Sequence, residues 1–400
     1  MSWDSGYIGP VTEERARYLI IGNPDNRRVT GFVDALDRRG LPPPILLSHR
    51  ELMRDVSALA ALPDEPLTVR IDACGEDPEI ERTLLELGAD ALDADLRCER
   101  ISRTELARTP YRFGQIRAPR QHHAGFVRYL DTLASVLRAR PSWRVLTPIA
   151  DIRALFDKRE TSRRYAALGI PVPEPLPGLT QIEEPEQLRE AMVAQRWPAV
   201  FVKLSSGSSA SCLALYRHLP GRPPAQRDLL LTTVATAENG RFNSLRLQRL
   251  HEREPVDALL RWLIGEGVQI ERAVPKARID RWCFDLRVLV VAGAPAFCVV
   301  RQSRHPITNL HLGGQRGDLD GLRRRMSSAA WDAAMRSCER VFAAHGCLHV
   351  GVDVLLEPGL ERHRVIEANA FGDLLPRLTR EGKSVYEWEI EAAARTASVE

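Results

Sequence analysis

Asp353, Glu367 and Asn369 are the residues whose types and spacing first suggest chemistry in this chain. They lie in HVGVDVLLEPGLERHRVIEANA, two apolar runs joined by a Pro-Gly turn, which reads as a β-hairpin. Residues two apart on a strand share a face. Glu367 and Asn369 therefore point one way and Ile366 and Ala368 the other, while His349, Gly351 and Asp353 share a face of the partner strand. A turn centred near Leu360 sets Asp353 directly opposite Glu367. Two carboxylates paired across a ladder repel, so a cation belongs between them. Carboxylate and amide oxygens suit a hard ion such as Mg²⁺, which binds a few carboxylates together with substrate phosphates. For an isolated hairpin, a solvated strand face is the ordinary alternative.

Other groups match that chemistry. FDLRVLVVAGAPAFCVVRQ reads as another hairpin, with Asp285 and Arg287 on one strand and Arg301 on its return. A three-residue turn sets Arg287 opposite Arg301, and a two-residue turn sets them diagonally. Either way two guanidinium forks converge, and such forks match phosphate oxygens. The loop that follows, RQSRHPITNLHLGGQRGD with Asn309, Gly313 and Gly314, is too polar for core and fits neither structural period. Lys158 and Lys203 are further cations. Lys203 stands in VFVKLSSGSSASCLALYR, where small residues interrupt two apolar runs as in a phosphate-cradling loop. In a P-loop the lysine opens a helix; here strand returns to strand, so SSGSS reads as the tip of a hairpin folding over phosphates. The one GKS triplet, Gly382-Lys383-Ser384, has Arg377 where a P-loop needs its first glycine.

The elements that must position these residues are those of a multi-lobed α/β chain. With 400 residues, 44% of them hydrophobic, the chain is long enough for two or three lobes. A formal charge of +3 is small for that length and demands neither nucleic acid nor an anionic membrane. No basic start is followed by an apolar core, and the longest apolar run is broken by Gly293 and Pro295, which reads as a soluble protein. Seven scattered cysteines without a CxxC pair read as buried thiols of a reducing cytoplasm. The first segment alternates strand and helix and lacks GxGxxG, which suits a small doubly wound domain without a dinucleotide site. VQIERAV reads as a strand after the helix VDALLRWLIGEG.

In this order the pieces resemble the ATP-grasp superfamily, the fold of glutathione synthetase, D-alanine ligase and the glutamate ligases that modify ribosomal proteins. The resemblance covers about residues 150–380. It implies an α/β fold in which a pre-ATP-grasp domain (1–125) precedes two grasp lobes. The first (126–267) contains a linker helix and the phosphate flap, and the second (268–400) contains the hinge and the metal site. It implies ATP contacts from Lys158, Lys203, the flap residues Ser205, Ser206, Gly207, Ser208 and Ser209, the hinge Glu271, Arg272, Ala273 and Val274, and Lys276. Arg287, Arg301 and Asn309 become the catalytic set, and Asp353, Glu367 and Asn369 the Mg²⁺ ligands. The implied activity is ADP-forming ligation of a carboxylate to an amine, with amino acids or peptides as substrates. A kinase on the same lobes and a non-catalytic nucleotide-binding protein are the alternatives. No nucleic acid or membrane is implied, a cytoplasmic location is, and relatives of this kind are often dimers or tetramers, which leaves the oligomeric state open with a homodimer among the assemblies implied. The flap has one glycine where many relatives have several, and SRHPITNLHLGGQRGD resembles a little-characterised bacterial branch. GQIRAPRQHH is the place expected for part of the acceptor or acid site, with His122 and His123 themselves read as ordinary surface residues and not as catalysts.

Overall fold

The computed structural model describes residues 17–75, 77–207, 211–308, 313–371, 375 and 377–397. Three main sheets organise them. The first contains β1 (Tyr18–Ile21), β2 (Ile45–Leu47) and β3 (Leu67–Ile71), all parallel. β4 (Gln115–Ile116) leaves for the second sheet, and β5 (Trp143–Val145) returns to pair with β3, giving the order β2-β1-β3-β5. β1 reads YLII with every residue buried, as expected of a parallel strand covered on both faces. The helices Pro78–Ala89 and Pro119–Arg138 cross beside this sheet with their backbones touching. A Cβ on Gly125 would fall 1.8 Å from the Leu84 carbonyl oxygen, so only glycine permits the approach.

The second sheet is antiparallel through β6 (Ala199–Leu204), β7 (Leu213–His218), β8 (Asp228–Ala237) and β9 (Gly240–Leu250), with β10 (Val268–Arg272) along β6 and β4 along β9. Alternation in β6 and β7 buries Val200, Val202, Ala214 and Tyr216 against the helices Pro185–Ala194 and Arg253–Glu266 and turns Phe201, Lys203 and Leu213 the other way. β6 and β7 pair up to Lys203 and Leu213, so the Ser/Gly segment is the connection of a hairpin, as its flanks suggested.

The third sheet has the order β14-β13-β12-β15-β16. Its strands are β12 (Trp282–Val291), β13 (Ala294–Ser303), β14 (Gln315–Arg316), β15 (His349–Leu356) and β16 (His363–Asn369), with the short β11 (Arg278–Ile279) on β12. The helix Ser328–Ala343 covers one face and the cleft described below opens on the other. A small ladder of β17 (Thr379–Arg380) and β18 (Lys383–Ser384) holds the GKS triplet, with Lys383 ion-paired to Glu391 at 2.7 Å.

Sheet membership crosses the limits drawn at residues 125 and 267. β4 joins the second sheet, β5 joins the first, and β10 pairs along β6 instead of entering the third sheet. The C-terminal helix Val385–Ala397 packs on the helix Arg27–Arg38, so the end of the described chain closes on its beginning. Between them Arg70 is 3% exposed, donates through Nε to Asp72 Oδ2 at 2.9 Å, pairs with Glu389, and lies over the Phe32 and Tyr386 rings. Among the described residues, no helix is long and apolar enough to cross a membrane.

Candidate functional site

A cleft of about 890 Å³, its open mouth included, separates the second and third sheets. The second sheet supplies Phe201, Lys203, Leu213 and Glu271, and the third supplies Asp285, Arg287, Arg301, Asp353, Glu367 and Asn369. Lys158 enters from the first turn of the helix Lys158–Ala167, which starts where Asp157 accepts hydrogen bonds from the Arg159 and Glu160 N–H groups at 2.9 and 3.1 Å. Six basic and four acidic side chains line the cleft, leaving two positive charges in excess.

Register explains how the third sheet gathers its charges. Asp353 stands opposite Glu367 as expected, by an indirect route. Near the turn the ladder runs one residue short of that register, with Val354 opposite Val365, and a bulge at Ile366 restores it. The bulge also corrects the expectation that Ile366 faces away, since Ile366 and Glu367 both line the cleft. The β12–β13 turn has two residues, Ala292 and Gly293, and an irregularity near Leu289 then sets Arg301 opposite Asp285 and Arg287 opposite Val299. The two arginines are thus diagonal. On its other edge β12 meets β15, which places Arg287 opposite Asp353.

The result is a chain of alternating charges. Arg287 Nε lies 2.8 Å from Asp353 Oδ1, and Arg301 bridges Asp353 Oδ2 at 3.1 Å and Asp285 Oδ1 at 2.8 Å. Lys276 Nζ donates to Asp285 Oδ2 at 2.8 Å, and Thr308 donates to the same oxygen. Lys158 Nζ lies 3.0 Å from Glu367 Oε1 and donates to the Gly207 carbonyl of the β6–β7 connection, while Lys203 pairs with Glu271.

These partners set the protonation of the carboxylates. Burial alone would raise all of them. It raises Glu271 despite Lys203 beside it. For Asp285 and Glu367 the neighbouring cations prevail, Arg301 and Lys276 in one case and Lys158 and Lys203 in the other, and hold the carboxyls below their usual range. Asp353 goes the other way: burial, with the nearby charges of Asp285 and Glu367, outweighs Arg287 and Arg301 and raises it. Asp353 Oδ1 is buried and accepts no aligned hydrogen bond among the described residues. With Glu367 opposite and the Asn369 amide nitrogen donating to Gly351 O at 3.4 Å, two carboxylates and an amide oxygen gather here, the kind of oxygen donor that a hard divalent cation takes in exchange for the basic side chains now paired with them.

Of the residues singled out from sequence, Lys158, Lys203, Gly207, Glu271, Arg272, Val274, Lys276, Arg287, Arg301, Asp353, Glu367 and Asn369 line this one cleft. Ser206 stands outside its lining, as does Ser205, whose hydroxyl donates to Gly267 O at 3.2 Å, and Ala273, whose N–H donates to Ala199 O at 3.1 Å. Ser208, Ser209 and Asn309 lie outside the described residues. His122 pairs with Glu81 at 3.0 Å, and His123, pushed down to about 4 chiefly by burial, stacks obliquely near Phe126; neither lines the cleft. Sequence reasoning placed Asp285 two residues before Arg287 on one strand without giving it a role, and it assigned none to Thr308, Phe201 or Leu355. The apolar walls carried no signal distinguishing them from core.

No protein-family profile matches this sequence, and no curated protein matches it. Solved structures do. D-cycloserine synthetase DcsG superposes with a TM-score of 0.53 at 14% identity, over 96% of this chain and 100% of that one. The ATP-grasp ligase PsnB, complexed with a phosphomimetic variant of its minimal precursor, Mg and ADP, gives 0.52 at 14% identity over 96% and 99%. The chain has the ATP-grasp fold. The macrocyclase MdnC from Microcystis aeruginosa MRC, bound with precursor peptide MdnA, gives 0.51 at 13% identity over 95% and 100%. In this fold the charged cleft lies between the two antiparallel sheets.

Proposed function

We propose that the protein is an ATP- and Mg²⁺-dependent ligase that activates a carboxylate as an acyl phosphate and joins it to an amine. The observation that carries this reading is Lys158, which touches both the Gly207 carbonyl of the β6–β7 hairpin and Glu367 of the carboxylate pair. One cation thus links the phosphate-covering and metal-binding sides of a single cleft. The excess of two positive charges complements a nucleoside triphosphate with one Mg²⁺.

In this reading the hinge Glu271, Arg272, Ala273 and Val274 receives the adenine. Lys158, Lys203 and Lys276 offset phosphate charge, and Ser205, Ser206, Gly207, Ser208 and Ser209 form the cover. Asp353, Glu367 and Asn369 hold Mg²⁺, which supplies charge neutralisation across the transferring phosphates. A carboxylate oxygen of the substrate attacks the γ-phosphorus and ADP departs. The amine then attacks the acyl carbon, phosphate departs with the C–O bond pair, and the amine loses a proton. Arg287 and Arg301, with Asn309, stabilise the oxygens that gain charge in the two steps. No protein nucleophile takes part.

The solved complexes of PsnB with Mg, ADP and precursor, and of MdnC with its precursor peptide, favour a peptide or amino-acid substrate. Partners in this reading are small-molecule or peptide carboxylates and amines, in the cytoplasm, with neither nucleic acid nor a membrane involved and a homodimer as the assembly. The three segments 1–125, 126–267 and 268–400 are read as pre-ATP-grasp domain and two lobes, whatever strands they exchange. The test is ADP release with pairs of carboxylates and amines, followed by hydroxylamine in place of the amine. Mg²⁺-dependent ADP release with a trapped hydroxamate is the expected result. A stable phosphorylated alcohol without hydroxamate makes the protein a kinase, and nucleotide binding without turnover makes it a non-catalytic binder.

A further inference from the structure

Asp285 is 1% exposed in the middle of β12, and it organises three pieces of chain. Oδ1 accepts from Arg301 Nε on β13 at 2.8 Å. Oδ2 accepts from Lys276 Nζ, beyond the hinge, at 2.8 Å and from Thr308 Oγ1, in the loop after β13. Lys276 also donates to Thr308, which closes the group into a ring. Arg301 meanwhile reaches past Asp285 to Asp353 Oδ2 at 3.1 Å. It is shared between a carboxylate that is only an anchor and one that belongs to the donor set for the cation.

Asp353 therefore carries guanidinium counter-ions before any metal arrives, Arg301 on one oxygen and Arg287 on the other. A divalent cation taking Asp353 must displace positive charge from it, because like charges at that separation repel strongly in a buried site. For Arg301 the displacement leaves a partner behind, since its Nε bond to Asp285 does not involve Asp353.

We propose that Asp285 is a positioning residue: by keeping hold of Arg301 and Lys276, it lets Asp353 exchange its arginine for the divalent cation while both basic side chains stay aimed into the cleft. The inference rests on the nucleotide-and-metal reading above. It assigns Asp285 no contact with substrate. Without the Asp285 charge, Arg301 has one carboxylate left, Asp353, and competes with the cation for it.

Mn²⁺ is the probe, its binding followed by the loss of the free-ion EPR signal with and without the non-hydrolysable analogue AMP-PNP, on variants whose circular dichroism matches wild type. Arg301→Met should tighten Mn²⁺ binding in the absence of nucleotide by about tenfold. Asp285→Asn should weaken Mn²⁺ binding with AMP-PNP by about tenfold. The deciding measurement is the double variant, because deleting any nearby negative charge weakens a cation site. If Asp285 acts through Arg301, Asp285→Asn in the Arg301→Met background changes Mn²⁺ affinity by less than about twofold. An equal loss in both backgrounds makes it a plain charge effect and overturns the proposal. Should Asp285→Asn fail to fold, Thr308→Val keeps the charge and loosens the ring, and about threefold weaker Mn²⁺ binding with AMP-PNP is expected only while Arg301 is present; no change overturns the proposal. Asp353→Asn separates the two levels of inference. If it abolishes Mn²⁺ binding while Asp285→Asn acts independently of Arg301, the metal reading stands and the positioning role falls; if wild type takes up no Mn²⁺ with AMP-PNP, both fall.

Discussion

Two buried ionic clusters use similar ingredients to different ends. Beneath the first sheet, Arg70 is sealed by Asp72, Glu389 and the rings of Phe32 and Tyr386. In the cleft, Arg301 has two carboxylates as well, but its surroundings open into a volume of about 890 Å³ and its partners also face other cations. The sealed cluster has one way to satisfy its charges. The open one has several, and that freedom to exchange counter-ions separates a site from a strut.

The comparison breaks if the two arginines respond alike. Arg70→Met leaves Asp72 and Glu389 buried without their counter-charge and should cost about 4 kcal/mol of stability, read by urea denaturation, with nucleotide affinity unchanged. Arg301→Ala should instead leave a folded protein whose ADP release falls on the order of 10²-fold or more. Near-normal turnover in folded Arg301→Ala removes the distinction.

Acid sharpens it. His49 is buried on Tyr129 OH and Asp72 O, both at 2.9 Å, and burial pushes its imidazole down to about 4. Its folded value lies below its unfolded one, so the stability it contributes is present above the unfolded value of about 6.5 and lost as pH falls through about 4, roughly 3 kcal/mol in all. Asp285 and Glu367 are held down by their cations, so their contribution is present above their unfolded values near 4 and disappears only in stronger acid. Denaturation curves between pH 7 and 4 should therefore lose stability through buried imidazoles, His49, His123 and His349 among them, and His49→Gln should reduce that loss by the His49 share. An unchanged slope in the variant contradicts the assignment. The smallest effect expected is about 2 kcal/mol for Gly125→Ala, where the new methyl meets the Leu84 carbonyl, again without change in nucleotide affinity.

Sequence revealed the faces better than the neighbours. Period-two alternation identified Asp353 with Gly351 and Glu367 with Asn369, and a Pro-Gly turn was enough to pair the strands. Alternation carries no information about which strand lies on the far side, so the meeting of Arg287 with Asp353 across β12 and β15 was invisible. The bulge that brings Ile366 into the cleft was equally hidden, because it corrects a turn one residue off by a local distortion with no composition of its own. VQIERAV reads as a strand in isolation, and only tertiary pairing with β6 assigns it to the second sheet. The Lys158 contact joins residues 49 positions apart at Gly207, beyond the reach of any local pattern.

The union of Arg70 with Glu389 spans 319 residues of chain. At the ribosome's pace of about 5–20 residues per second, the two are synthesised roughly 16–60 s apart. Throughout that interval Arg70 has Asp72 as its counter-ion but lacks its second carboxylate, Glu389. Completion of that cluster is thereby tied to a late event in translation, and a ribosome stalled before Glu389 holds a chain whose opening strands have every lobe except their closing clasp.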